Sequence, residues 1–191
     1  MAAAKAHAAT ALLGTQGGNG NFQGGAGGRA SPVGPAFLLL GLALLLIAAP
    51  ARAASNKVRI SGLGDVAFGT IANLGLDAVQ SQSVCVYADT ATNGYNVTAS
   101  GSGSGGAFQL ASGLARLAYE VQWSSSAGQS SGVQLSPNTP LPGQTSSATQ
   151  QTCNNGAATT ASLILVLRSA ALSSASAGSY SGTLTLVVGA E

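Results

Sequence analysis

Ser179-Tyr180-Ser181-Gly182-Thr183-Leu184-Thr185-Leu186-Val187-Val188 puts Tyr180, Leu184, Leu186 and Val188 on one face and Ser181, Thr183 and Thr185 on the other. A period of two residues is that of a β-strand with one buried side. The sequence ends three residues later, at Glu191. A regular apolar strand with a free edge pairs readily with other chains unless something covers it. The stretch therefore predicts both a strand and an edge that needs a partner.

The composition around it favours sheet. Hydrophobic residues make up 46% of the chain and charged residues only 6%, with glycine, serine, threonine and alanine filling most of the remainder. A helical bundle would need far more Glu, Lys and Leu. The formal charge of +2 includes Lys5, Arg29 and Arg52, which lie ahead of a processing signal. From Ala54 onward, four basic groups (Lys57, Arg59, Arg116, Arg168) face five acidic ones (Asp65, Asp77, Asp89, Glu120, Glu191). That balance gives no reason to expect nucleic acid as a partner.

The processing signal is the uncharged apolar run over residues 36–49, followed by Pro50 and the small-x-small site Ala51-Arg52-Ala53. The run has the length of a signal-peptide core and is shorter than the roughly 20 residues of a spanning helix. The sequence thus divides into a low-complexity, disordered leader (1–35), a signal-peptide helix with its cleavage site (36–53) and one exported domain (54–191). No stable membrane insertion is expected after cleavage. Export places Cys85 and Cys153 in an oxidising compartment, where two cysteines most simply form one bridge. A metal pair or a reactive thiol is the alternative. With no histidine after His7 and no third cysteine, the bridge is the reading adopted.

Within the exported part, Val58, Ile60 and Leu63, then Val66 and Phe68, form one or two short strands kinked at Gly62, Gly64 and Gly69. Residues 83–88 and 95–99 alternate on either side of Thr92-Asn93-Gly94 and read as a hairpin. Residues 107–111 form a short strand, and Leu117, Tyr119, Val121 and Trp123 mark a clean alternation. Residues 124–153 read as a surface loop with one strand fragment at Val133 and Leu135. The segment Ala161-Ser162-Leu163-Ile164-Leu165-Val166-Leu167-Arg168 is apolar on both faces and belongs in a sheet interior. Seven or so short strands with almost no helix signal predict an all-β, immunoglobulin-like antiparallel sandwich.

Sites for chemistry are sparse. Gly101, Gly103 and Gly106 match G-x-G-x-x-G, but a strand follows and not the helix N-terminus that a pyrophosphate needs. Asp65, Asp77, Asp89 and Glu120 could supply a carboxylate pair for glycoside hydrolysis, although scattered acids are more often solvated surface. No histidine follows His7 to activate a nucleophile or move a proton near neutral pH. No enzymatic activity, cofactor or metal is therefore expected. Tyr87, Tyr95, Tyr119, Tyr180 and Trp123 read as core residues, with a sugar-binding aromatic platform as the alternative.

Several phrases in order carry a family resemblance. Val58-Arg59-Ile60-Ser61-Gly62-Leu63-Gly64-Asp65-Val66-Ala67-Phe68-Gly69, Val84-Cys85-Val86-Tyr87, Gly94-Tyr95-Asn96-Val97-Thr98-Ala99, Leu117-Ala118-Tyr119-Glu120-Val121 and Ala177-Gly178-Ser179-Tyr180-Ser181-Gly182-Thr183-Leu184-Thr185-Leu186 resemble the spore coat protein U domain. That family groups with pilin subunits of the archaic chaperone/usher pathway. The resemblance implies a sandwich lacking its final strand, with Tyr180, Leu184, Leu186 and Val188 bordering a groove. A periplasmic chaperone, and then the N-terminal extension of a like subunit delivered through an outer-membrane usher, would fill that groove. It implies a structural subunit of a cell-surface or extracellular fibre or coat. A self-sufficient secreted adhesin-like binding module, carbohydrate-binding in one form, is the alternative. Four buried side chains at roughly 1.5 to 3 kcal/mol each and several hydrogen bonds near 1 kcal/mol each make the borrowed strand worth about 10 kcal/mol. Whole domains are stable by only about 5 to 15 kcal/mol. The family pattern also asks for an apolar donor extension before the first strand. Here Val58, Ile60 and Leu63 are either a short donor segment or that first strand; in the second case the subunit accepts but does not donate, as at a fibre tip.

Overall fold

A computed structural model describes residues 2–13, 56–154 and 156–191. The apolar run and the cleavage site at Ala51 and Ala53 lie outside the described residues. Two sheets, antiparallel at all but one strand pair, make an all-β sandwich.

The first sheet has β10 (Leu141–Thr145), β5 (Gly94–Gly101), β12 (Ser179–Ala190), β1 (Ala2–Leu13) and β3 (Val66–Ile71) in that order. A short hairpin, β6 (Gln109–Ser112) and β7 (Ala115–Ala118), joins it at β12. The second sheet runs β2 (Lys57–Ser61), β4 (Ala78–Asp89), β11 (Ala161–Leu167), β8 (Glu120–Ser124) and β9 (Val133–Gln134).

The alternating sequences bury one face each, and those faces meet in a single core. Tyr180, Leu184, Leu186 and Val188 of β12 pack there with Tyr95, Val97 and Ala99 of β5 and with Val84, Val86, Val121, Trp123, Leu163 and Leu165 of the second sheet. As its continuous apolar run predicts, β11 is buried at all seven positions, and it lies between β4 and β8. Trp123 and Tyr95 meet edge to face with centroids 6.5 Å apart, and Trp123 Nε1 donates to Tyr95 Oη at 3.2 Å. A buried indole N–H with a partner avoids the desolvation cost of an unmade bond.

The expected bridge is present: Cys85 on β4 bonds Cys153, with Cα atoms 6.0 Å apart. Beside it, β4 changes partner, pairing β11 from Ala78 to Val84 and β2 from Cys85 to Asp89. Thr160 bridges the change: its N–H donates to Val84 O at 2.8 Å, and its Oγ1 accepts from Val86 N–H at 2.9 Å.

Several expectations need correction. Residues 83–88 and 95–99 are not a hairpin, because β4 and β5 lie in different sheets. The turn between them has the expected Asn93 at φ +54° and a Thr90 Oγ1 that accepts from Gly94 N–H at 2.7 Å, but it carries the chain across the sandwich. The alternation from Leu117 to Trp123 is one pattern on two strands: β7 belongs to the first sheet, β8 to the second, and Tyr119 sits at the crossing. Leu117, Tyr119, Val121 and Trp123 are nonetheless all buried, since each side of the crossing faces the same core. The loop over residues 124–153 contains β10, an edge strand whose Pro142 and Gly143 conceal it in the sequence. A six-residue helix, α1 (Ser169–Ser174), occupies the connection to β12 and buries Leu172. Of the leader, Ala2–Leu13 is described and forms β1; the rest lies outside the described residues.

Candidate functional site: the flank of the terminal strand

One edge of β12 is fully engaged by its own domain. Leu184–Ala190 pair antiparallel with β5, and Ser181 pairs with Ala111 of β6. The four predicted groove residues are buried: Tyr180, Leu184 and Leu186 to 1% exposure and Val188 to 5%. Thr183, Thr185 and Val187 between them are only half-buried. The Tyr180 hydroxyl donates to Ser176 O at 2.9 Å, which anchors the entry to the strand. Gly182 is needed for close approach, because a Cβ there would sit 3.0 Å from Gln109 O and Leu110 Cδ2.

Among the described residues, the other edge is occupied only by β1. Ala3–Ala9 pair parallel with Ser179–Thr185, and Leu12 and Leu13 pair with Val187 and Val188 after an irregularity. On its far side β1 pairs antiparallel with β3, Ala2 opposite Ile71 and Ala6 opposite Val66. No pairing joins β12 to β3 directly among the described residues. With strands spaced about 4.8 Å apart, β12 and β3 flank a slot about 10 Å across, the width of one strand. Residues 57–191 form both walls and none of the filling.

The candidate donor segment has another place. Val58 and Ile60 lie in β2, where they pair in cis with Ala88 and Val86 of β4, and Ile60 is 4% exposed. Leu63 follows the strand and packs against the core. Of the two alternatives for this segment, the structure has Val58 and Ile60 in a strand of the domain, with Leu63 just after it.

The other candidates resolve plainly. Tyr95, Tyr119, Tyr180 and Trp123 are buried, so they form core and not a surface platform; Tyr87 alone is half-buried. Phe108 and Tyr119 stack at 5.8 Å between centroids. Burial pushes the phenols of Tyr95 and Tyr119 up to about 12. Of the four scattered acids, Asp77 and Glu120 come together, both hydrogen-bonded to the exposed guanidinium of Arg168. The Ser169 N–H, which donates to Asp77 Oδ1 at 2.7 Å, and then Arg168 hold the Asp77 carboxyl below its usual range. One guanidinium shared by two exposed carboxylates ties α1 to β4 and β8. No group of three or more metal-ligating side chains occurs among the described residues. The glycine loop carries a 3-10 turn at Ser104–Gly106 and leads into β6, so it offers no phosphate cradle.

The sequence reading found the walls of the slot but not its filling. Ala2–Leu13 alternates apolar and polar residues only over Ala4–Ala8, with alanine as the apolar member and few β-formers, so its pattern is too short and weak to mark a strand in the leader. No helix among the described residues is long and apolar enough to cross a membrane. Compared with family models, with characterised proteins and with solved structures, the chain finds no match in any of the three.

Proposed function

We propose that the chain is an exported structural subunit, built to receive a strand from another polypeptide between β12 and β3 during assembly into a surface fibre or coat. One observation carries this reading. Among the described residues, the flank of β12 is filled only by Ala2–Leu13, which precedes the cleavage motif Ala51-Arg52-Ala53. Cleavage there leaves a domain with the slot walls in place and no described strand of its own to fill it. An apolar edge in that state captures a strand or aggregates.

The resemblance to the spore coat protein U domain supports the same mechanism and supplies the partners: a periplasmic chaperone, an outer-membrane usher and like subunits. Because Val58 and Ile60 are committed to β2, only Ala54, Ser55 and Asn56 precede the first strand after cleavage. The subunit then accepts a strand without donating one, which places it at an end of an assembly. The disulfide is compatible with export. The route runs through the periplasm to the cell surface.

The test is to export the chain in a bacterial host and recover it from the periplasm. The expected product is a complex in which a strand of another polypeptide, or of a second copy, pairs with β12. A processed monomer that is fully folded and takes up no strand overturns the proposal.

A further inference from the structure

The second sheet contains a stretch of strand with one edge unpaired, apart from the slot, which belongs to the first sheet. Residues 78–84 of β4 pair with β11 on one side. On the other side β2 pairs only with residues 85–89, so among the described residues the stretch 78–84 has no partner strand there. Val79, Gln80 and Ser81 are exposed one after another, Val79 to 44%. Gln82 marks the end of the opening, because its side-chain amide bonds the backbone of residues 62–64. We infer that this opening is where a second copy of the chain pairs edge to edge and antiparallel, about a two-fold axis at Gln80, so that the second sheets of two copies run on as one.

Three observations choose this partner. The first is that the other sheet margins are guarded and this one is not. Strand β10 carries Pro142, β9 is two residues long, β2 carries Lys57 and Arg59, and β3 is broken by Gly69 at φ +67°. Short strands, charges, prolines and kinks are the usual devices against edge pairing. Ala78-Val79-Gln80-Ser81-Gln82-Ser83 has no charge, no proline and no glycine, the composition of a segment that pairs with its own kind.

The second is length. The opening runs from the turn at residues 74–75 to Gln82. A two-fold axis at Gln80 sets Ala78 opposite Gln82 and Val79 opposite Ser81 of the second copy, which fills the opening and leaves β2 where it is.

The third is chemical complementarity. Gln80 meets its own counterpart at the axis, and a carboxamide both donates and accepts, so it is its own complement. Asp77, the nearest charge, is already bonded to Arg168 and to the Ser169 N–H, so the copies approach without an unpaired carboxylate between them. Leu76, 65% exposed just ahead of the opening, adds apolar surface for the second copy to cover. Strand uptake at β12 ties the chain to another polypeptide; pairing at β4 ties it sideways to its own kind.

The test uses the chain exported in a bacterial host and recovered from the periplasm with whatever strand fills its slot. Sedimentation velocity over a concentration series should show a reversible dimer of this particle. Gln80→Lys and Gln80→Glu, changes at an exposed position, should each raise the dimer Kd by about tenfold or more, since like charges then meet at the axis. Mixing the two variants should restore dimerisation, with one copy of each variant per dimer by native mass spectrometry. Dimers that ignore the charge at Gln80 form elsewhere, including at the slot, and overturn the inference. One copy per particle at every concentration up to about 1 mM overturns it too, as does a different polypeptide that is bound by the unaltered chain and lost in Gln80→Lys. The occupant of the β12 flank is read separately, so failure of the acceptor reading leaves this inference standing, and failure of this inference leaves the acceptor reading standing.

Discussion

Tyr119 and Tyr95 pose the same question at the scale of one hydroxyl and give opposite answers. Tyr95 Oη accepts from Trp123, whereas Tyr119 Oη is buried without a hydrogen-bond partner among the described residues. Removing both members of a polar pair can be neutral, but orphaning one costs about 1 to 3 kcal/mol. Tyr95→Phe should therefore destabilise by about that amount by denaturant unfolding, while Tyr119→Phe should be neutral or stabilising. Both phenols also set an alkaline limit. Their folded-state pKa of about 12 lies above the ordinary value of 10, so between those values the unfolded chain loses protons that the folded one keeps. The stability they contribute is complete below pH 10 and is lost as pH rises through 12, on the order of 2 to 3 kcal/mol for each residue. Unfolding midpoints measured from pH 9 to 12 should fall steeply, and less so in Tyr119→Phe. At Leu184 and Leu186, Asp would place a charge at a site about 1% exposed; either change should cost more than about 4 kcal/mol and leave the chain degraded or aggregated.

At the scale of elements, strands with one apolar face were legible and their partners were not. The alternation at Tyr180–Val188 and the unbroken run at Leu163–Leu167 mark β12 and β11 because burial of a face, or of both faces, writes directly into residue type. The same pattern over Leu117–Trp123 cannot tell one long strand from two strands that cross between sheets, since both arrangements bury alternate residues. The turn at Asn93 is likewise correct in kind, yet an arch between sheets and a hairpin make the same demand for a positive φ. Strand β10 escapes because edge pairing by backbone needs no periodic side chains, and β1 because its alanine-rich sequence carries little apolar patterning. The walls of the candidate site were thus readable and its occupant was not. The disulfide is an element-scale staple, joining β4 to the long segment before β11 across 68 residues. Closing a loop of that size contributes about 4 kcal/mol by chain entropy. Reduction, or replacement of both cysteines by serine, should lower the guanidinium midpoint by the corresponding amount. Thr160→Val should cost about 1 to 3 kcal/mol in the same assay, because it removes the acceptor for the Val86 N–H.

At the scale of the molecule, the first sheet needs a strand between β12 and β3, and its source decides how the domain holds together. An occupant worth about 10 kcal/mol is comparable to the whole stability of a domain, about 5 to 15 kcal/mol. On the proposed reading, residues 54–191 should then be unable to hold their native state alone, and fold and assembly become one event. The most direct measurement is thermal unfolding of residues 54–191, refolded with the disulfide formed, with and without an excess of a Val-Thr strand peptide. A domain that needs a borrowed strand should show no cooperative transition, or one near ambient temperature, by itself, and a sharp transition raised by tens of degrees once the peptide is seated. A cooperative transition at the same high temperature with or without the peptide would contradict it.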